Sequence, residues 1–200
     1  AATPSVAMNI LPPAVLQFTQ RFPGVQLDIR DMDSVAITNE LTRGRADIGI
    51  GTLPEIAGLR RTELFSDPFG VVCRKDHPLA RDWDQLRWRD MQDYVMIANG
   101  LSHMITDPDF EPILAKSHLM VPSVVSLLGL VREGVGISVL PRLAALHAPD
   151  EIAFLPLRDA AARRHVHIVS QPHARQMPAA RAFAELMTGL VRDGALASTL

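Results

Sequence analysis

The chain has one cysteine in 200 residues, which excludes an intrachain disulfide and the stapled scaffold of a small oxidised domain. That residue, Cys73, lies in the apolar run from Phe69 to Arg74 and reads as a buried thiol, not a reactive one. An excess of either charge is missing too. With 20 Lys plus Arg against 22 Asp plus Glu, the net charge of −2 gives no overall attraction for a phosphate backbone. No apolar run approaches the roughly 20 residues that span a bilayer. Ala1 to Ile10 lacks a basic start ahead of an apolar core, so no signal peptide is expected, and the reducing cytoplasm is the expected compartment.

Catalytic and metal-binding signatures are equally scarce. There is no Gly-x-Ser-x-Gly elbow, and Gly49-Ile-Gly51 and Gly134-Val-Gly136 each lack the third glycine of a dinucleotide fingerprint. His165 and His167 alternate, the spacing of a metal pair on a strand, but no Cys or carboxylate cluster accompanies them. The interleaved Val166 and Ile168 explain that segment as a strand with one polar face. Asp28, Asp31 and Asp33 lack the Gly-centred loop and closing Glu of a calcium site. No catalytic residue, metal or cofactor is therefore expected.

What is present is one arrangement used twice. Leu41 to Thr52 and Leu128 to Pro141 each run from a helix end through a glycine, Gly44 or Gly134, into a short apolar strand. Two such helix-to-strand returns predict two small α/β lobes with a ligand crevice at their strand ends.

The remaining elements follow the same alternation. Leu11, Val15, Phe18 and Phe22 mark an amphipathic helix with Pro12 and Pro13 in its first turn. Val25, Leu27 and Ile29 alternate with polar residues and predict a strand, and Ser34 predicts the cap of a helix reaching Thr42. An opening strand is expected before all of these, represented by Ala1 to Thr3. Strands are predicted at 47–51, 69–74, 94–98, 136–140, 154–157 and 166–169. Helices are predicted at 83–91, 109–118, 123–133, 141–147 and 178–192, the last with Phe183, Leu186, Met187 and Leu190 on one face.

Five segments in order carry a family resemblance: Leu11-Pro-Pro, Phe22-Pro-Gly-Val, Leu41 to Gly51, His77-Pro-Leu-Ala80 and Leu130 to Pro141. Together they resemble the effector-binding domain of LysR-type transcriptional regulators over essentially the whole chain. The resemblance implies the type 2 periplasmic-binding-protein fold, with two Rossmann-like lobes joined by crossing strands. Residues 1–70 and 172–200 would form the first lobe and 71–171 the second, with an effector cleft between them. It also implies an N-terminal winged helix-turn-helix through which the complete regulator contacts DNA. Nothing in the first residues here supplies one, so a sensor domain is expected.

The resemblance places an inducer pocket at hydroxyls before the first helix, at the residue after the Ala-Asp-Ile strand, and at a polar turn of the second lobe. Thr3, Pro4, Ser5, Val6, Thr52, Asn99, Gly100, Ser102 and His103 stand at or beside those places. Each has a plainer reading: Ser5 as a helix cap, Thr52 as a loop residue, Asn99 and Ser102 as a side-chain turn, and His103 as a solvated histidine. Val6 replaces a polar residue found in some relatives and favours a partly apolar effector, a small organic acid. The resemblance further implies a homodimer or tetramer without membrane contact. Its interface would use Arg21, Gln26 and Asp28 of one copy and the helix bearing Ser126 and Leu130 of the other. Two rival functions share the fold: a transporter's solute-binding protein and an enzyme acting on a small carboxylic acid.

Overall fold

The computed structural model describes residues 1–81, 86–158, 161–172 and 175–194. The chain divides into two compact units, Ala1–Asp67 with His165–Leu200, and Pro68–Arg164. It passes from the first to the second within one long strand, β2 (Arg60–Arg74), and returns at the start of another, β7 (Arg163–Ser170).

The first unit opens with helices α1 (Pro4–Asn9) and α2 (Leu11–Arg21), each with proline in its first turn, where no N–H is needed. Leu11, Ala14 and Phe18 form the buried face of α2. They meet α7 (Pro178–Arg192), whose Phe183 packs edge-on against Phe18 at 5.2 Å between ring centroids. Helix α3 (Ser34–Thr42) is closed by Gly44 at φ +66°. Strand β1 (Ile48–Gly51) then runs antiparallel to β7 (Arg163–Ser170), from Ile48 opposite Ser170 to Gly51 opposite His167. Gly49 lets α3 lie directly on this pair: a Cβ there would come within 2.6 Å of Leu41 Cδ1 and 2.7 Å of Ile37 Cγ2.

Two local expectations are corrected. The Val25–Ile29 segment does not form a strand: only Asp31 makes a bridge, to Ala2, and Ile29 is 49% exposed. Its alternation is present but no neighbouring strand pairs with it. The cap of α3 is Asp33, whose side chain accepts from Ala36 N at 2.8 Å, so Ser34 is the first helical residue. A cap must accept from two or three residues onward, and Asp33 occupies that place.

The second unit is built on β2 (Arg60–Arg74), flanked in antiparallel register by β5 (Ser138–Pro141) and β6 (Ile152–Pro156). Val71 and Cys73 pack with Trp88, Phe110 and Val139, whereas Val72 packs with Leu127, Val131 and Leu140. A strand buried on both faces reads as an unbroken apolar run, as this one does. The Cys73 thiol is pushed up to about 11, by burial first and by Asp76 second. The strand expected at 94–98 shortens to β3 (Ile97–Ala98), parallel to β4 (Leu119–Met120). Helices α4 (Glu111–Ala115), α5 (Val124–Arg132) and α6 (Arg142–Ala145) complete the unit. Ser123 caps α5 as expected, accepting from Ser126 N at 3.4 Å. Of the helix expected at 83–91, residues 83–85 lie outside the described part, and 88–91 form one tight turn. His77 explains the His-Pro-Leu-Ala motif structurally: its Nδ1 accepts from Leu79 N at 3.2 Å, capping the turn Pro78–Ala80.

One buried polar pair bears on stability. His167 on β7 is 5% exposed, and its Nδ1 lies 3.3 Å from an Arg61 amino group that can only donate. The ring is therefore held neutral with its proton on Nε2, and burial first, then Arg61, lowers its pKa. Neighbouring His165 is exposed and pairs with Glu63 at 2.8 Å. A guanidinium on one ring and a carboxylate on the other are not a metal-binding arrangement, and the described residues hold no cluster of three metal-ligating side chains.

Two predictions follow from these packing details. Gly134 adopts φ +79°, so Gly134→Val should cost roughly 1–3 kcal/mol and lower the thermal midpoint. The unfolded chain takes up a proton at His167 before the folded one does, so stability should be full above about pH 6.5 and fall as pH drops below it. His77 is shifted downward by burial in the same sense. Thermal melts between pH 7.5 and 5 should show this slope, reduced in His167→Gln.

Candidate functional site

In the first unit the candidate residues are organised by Ala2. Its peptide bridges in parallel to Asp31 on one side and Ile50 on the other. The bonds are Ala2 N to Arg30 O (2.9 Å), Met32 N to Ala2 O (3.0 Å), Thr3 N to Ile50 O (2.9 Å) and Ile50 N to Ala1 O (2.9 Å). Three extended segments thus end together, pointing the same way. Just beyond this rung come Thr3, Thr52 and Ser34. The hydroxyl oxygen of each is buried without a hydrogen-bond partner. A buried orphan hydroxyl forgoes its hydrogen bond at about 1–3 kcal/mol unless a ligand or water satisfies it, and here three occur at one edge of one unit.

Thr3 precedes α1 in extended geometry but makes no side-chain cap. Gly51 gives it room, since a Cβ there would meet Thr3 Cγ2 at 2.6 Å and Oγ1 at 3.4 Å. Arg61 places a cation at the carbonyl of Leu53, next in the chain to Thr52: its Nε donates to Leu53 O at 3.0 Å, and Glu55, itself 89% exposed, approaches only to 3.9 Å. Ser5 is buried inside α1, past the cap position, and its carbonyl accepts from Asn9. Pro4 is exposed at the helix start. Val6 is fully buried. It contributes packing and offers no surface to a ligand, because α1 turns its side chain into the core.

In the second unit the Asn99–His103 turn is internally bonded. Asn99 donates from Nδ2 to Val139 O (2.8 Å) and Ser138 Oγ (3.3 Å), and its Oδ1 accepts from Leu101 N (2.9 Å). Ser102 Oγ accepts from Asn99 N at 3.0 Å. Both side chains hold the turn, as the plainer reading had it, and what the turn presents outward is Gly100 and His103. Among the residues bracketed by Thr3 and Thr52, sequence reasoning missed Ser34 as a site residue. Its signal was present in Asp33-Ser34, two consecutive cap-competent residues of which a helix uses one.

Comparison with known proteins agrees with this architecture. The LysR substrate binding domain family matches residues 1–192. The uncharacterized HTH-type transcriptional regulator YbhD of Escherichia coli is 28% identical over 200 residues, covering 96% of this chain and 63% of its own length. The chain thus spans less than two thirds of that relative. Among solved structures, the BenM effector-binding domain with its effector benzoate superposes with a TM-score of 0.81 at 22% identity, covering all of this chain and 92% of that one. The effector-binding domain of QuiR in complex with shikimate gives a TM-score of 0.77 at 19% identity, covering 96% and 95%. At these identities the structures establish the shared fold, and the family match across nearly all 200 residues establishes that this chain belongs to the LysR substrate-binding domain family.

Proposed function

We propose that this domain senses a small organic acid; Thr3, Ser34 and Thr52 are the candidate contacts of the first unit, and the Asn99–His103 turn is the candidate of the second. The observation that carries this reading is the set of three buried, unpartnered hydroxyl oxygens just past one ladder rung. Hydroxyls both donate and accept, so they suit a carboxylate and a carbonyl or hydroxyl alike. Arg61 beside Leu53 supplies the positive charge that favours an acid. Benzoate and shikimate, bound by BenM and QuiR, are acids of that size. A solute-binding protein for a transporter is disfavoured, because the relatives are transcriptional regulators.

In the longer regulator, effector binding would favour one arrangement of subunits and so reposition a DNA-binding part. Two exposed apolar surfaces support self-association. On α2, Leu16 is 59% exposed near the exposed Arg21, Gln26 and Asp28; on α5, Val125 is 83% exposed beside Ser126 and the half-buried Leu130. We propose that these surfaces pair between copies in a homodimer, alone or as half of a tetramer. The cytoplasm is the compartment such a regulator would occupy. No described helix is long and apolar enough to cross a membrane.

Three measurements test this reading. A thermal-shift screen of small carboxylic acids should find a stabilising compound, and calorimetry should show Ser34→Ala and Thr52→Val each weakening it by roughly 1–3 kcal/mol. Equal affinity in both variants would remove these hydroxyls from the site. In sedimentation, Val125→Asp should shift the dimer toward monomer while the melting curve stays cooperative.

A further inference from the structure

A basic groove lies on the other face of the first unit's sheet from Arg61. Strand β2 begins Arg60-Arg61-Thr62, and alternation along a strand sends neighbouring side chains to opposite faces. Arg61 meets His167 of β7, whereas Arg60 and Thr62, with Ile168 and Ser170 of β7, line a groove of about 310 Å3 that α7 closes. The two consecutive arginines thus serve different surfaces, and the groove shares no residue with the hydroxyl edge.

Helix α7 supplies the opposite wall. Arg181, Glu185, Thr188 and Arg192 follow at intervals of four, three and four, a polar stripe beside the apolar face that meets Phe18. Helix energetics do not account for Arg181. It is the fourth residue of a helix with no acid in its first turn, where the positive end of the helix dipole disfavours a cation. Its pair with Glu185 stands at 4.0 Å between two exposed side chains, and with the acid on the C-terminal side, the weaker order for such a pair. Arg192 approaches only the exposed Asp193, at 3.3 Å. Thr188 spends its proton on Ala184 O at 2.8 Å and adds no donor. Gln176, which also lines the groove, has its side-chain nitrogen buried without a hydrogen-bond partner among the described residues. An amide nitrogen only donates, so what it lacks is an acceptor.

The described lining therefore offers three guanidinium groups against one carboxylate, with an orphan donor among them. Because the chain carries a net charge of −2, this positive charge is local, and the hollow suits a small ion rather than a polynucleotide or a membrane surface. We propose that this groove is an anion site separate from the hydroxyl edge, taking a small doubly charged oxyanion, either a phosphate monoester or a dicarboxylate. Arg60 from one wall and Arg181 and Arg192 from the other hold its oxygens, since the planar guanidinium fork matches phosphate and carboxylate alike, and the Gln176 amide donates to it. Glu185 opposes the anion, so its charge lowers the affinity. An occupant ties β2 to α7 and stabilises the first unit.

Calorimetry and thermal melts on the 200-residue chain, at constant ionic strength, test this with inorganic phosphate, malonate and chloride. Phosphate or malonate should bind and raise the melting temperature, the tighter of the two identifying the class, and chloride should do neither. Arg60→Gln and Arg181→Gln should each weaken binding about tenfold, and Gln176→Leu about threefold, whereas Glu185→Gln should tighten it. Arg89→Gln, which removes an exposed arginine of the second unit, should leave it unchanged. Melts without anion identify any variant that loses the fold. Absence of binding by both dianions at millimolar concentration, equal weakening by Arg89→Gln and Arg181→Gln, or weaker binding in Glu185→Gln would overturn the site.

Discussion

Four backbone hydrogen bonds around Ala2 organise the first unit. They tie three extended segments into one parallel rung, and everything placed just beyond it inherits a common direction. Thr3, Ser34 and Thr52 are separated by more than thirty positions along the chain at one interval and by more than fifteen at the other, yet each follows its own segment past the same rung. A side chain at the end of a hydrogen-bonded array is held by the backbone, so its hydroxyl can be oriented without bonds of its own. The second unit works differently: Asn99 and Ser102 use their polar groups to hold a turn, leaving backbone and His103 to face outward.

The elements legible in the sequence were those whose pattern is closed locally. Helix α7 could be read from its apolar face alone, and Gly44 and Gly134 marked helix ends because an L side chain is strained at their positive φ. The two buried faces of β2 were likewise visible as an apolar run. Val25–Ile29 failed because a strand needs a partner and alternation reports only which face is apolar. The cap of α3 was misplaced by one residue because Asp33 and Ser34 are chemically equivalent candidates, and the difference between them is dihedral geometry alone. That single step separates Ser34 as capping residue from Ser34 as a buried hydroxyl without a partner.

The site itself was less legible than the fold. Position relative to strand ends could be anticipated, so Thr3 and Thr52 were named, but burial and satisfaction could not. Val6 looks like a pocket residue by position, yet it is fully buried, and helix α1 begins two residues earlier than a cap at Ser5 would place it. Asn99 looks like a ligand contact by type, yet its hydrogen-bonding partners lie on Ser138 and Val139, some forty residues away. No spacing rule in the sequence encodes that meeting. Arg61, which brings charge near Thr52, is similarly placed by a bond to a carbonyl eight residues back.

The state of Cys73 also has a practical side. The residue is fully enclosed and its thiol stays protonated far above neutral pH, so thiol-reactive reagents find no nucleophile on the native chain. A cysteine engineered at a surface position would consequently be the sole target for maleimide labelling, without first removing the native one. A fluorophore or spin label could then be placed one per molecule at a chosen surface position, leaving the core unaltered, to report on its local surroundings.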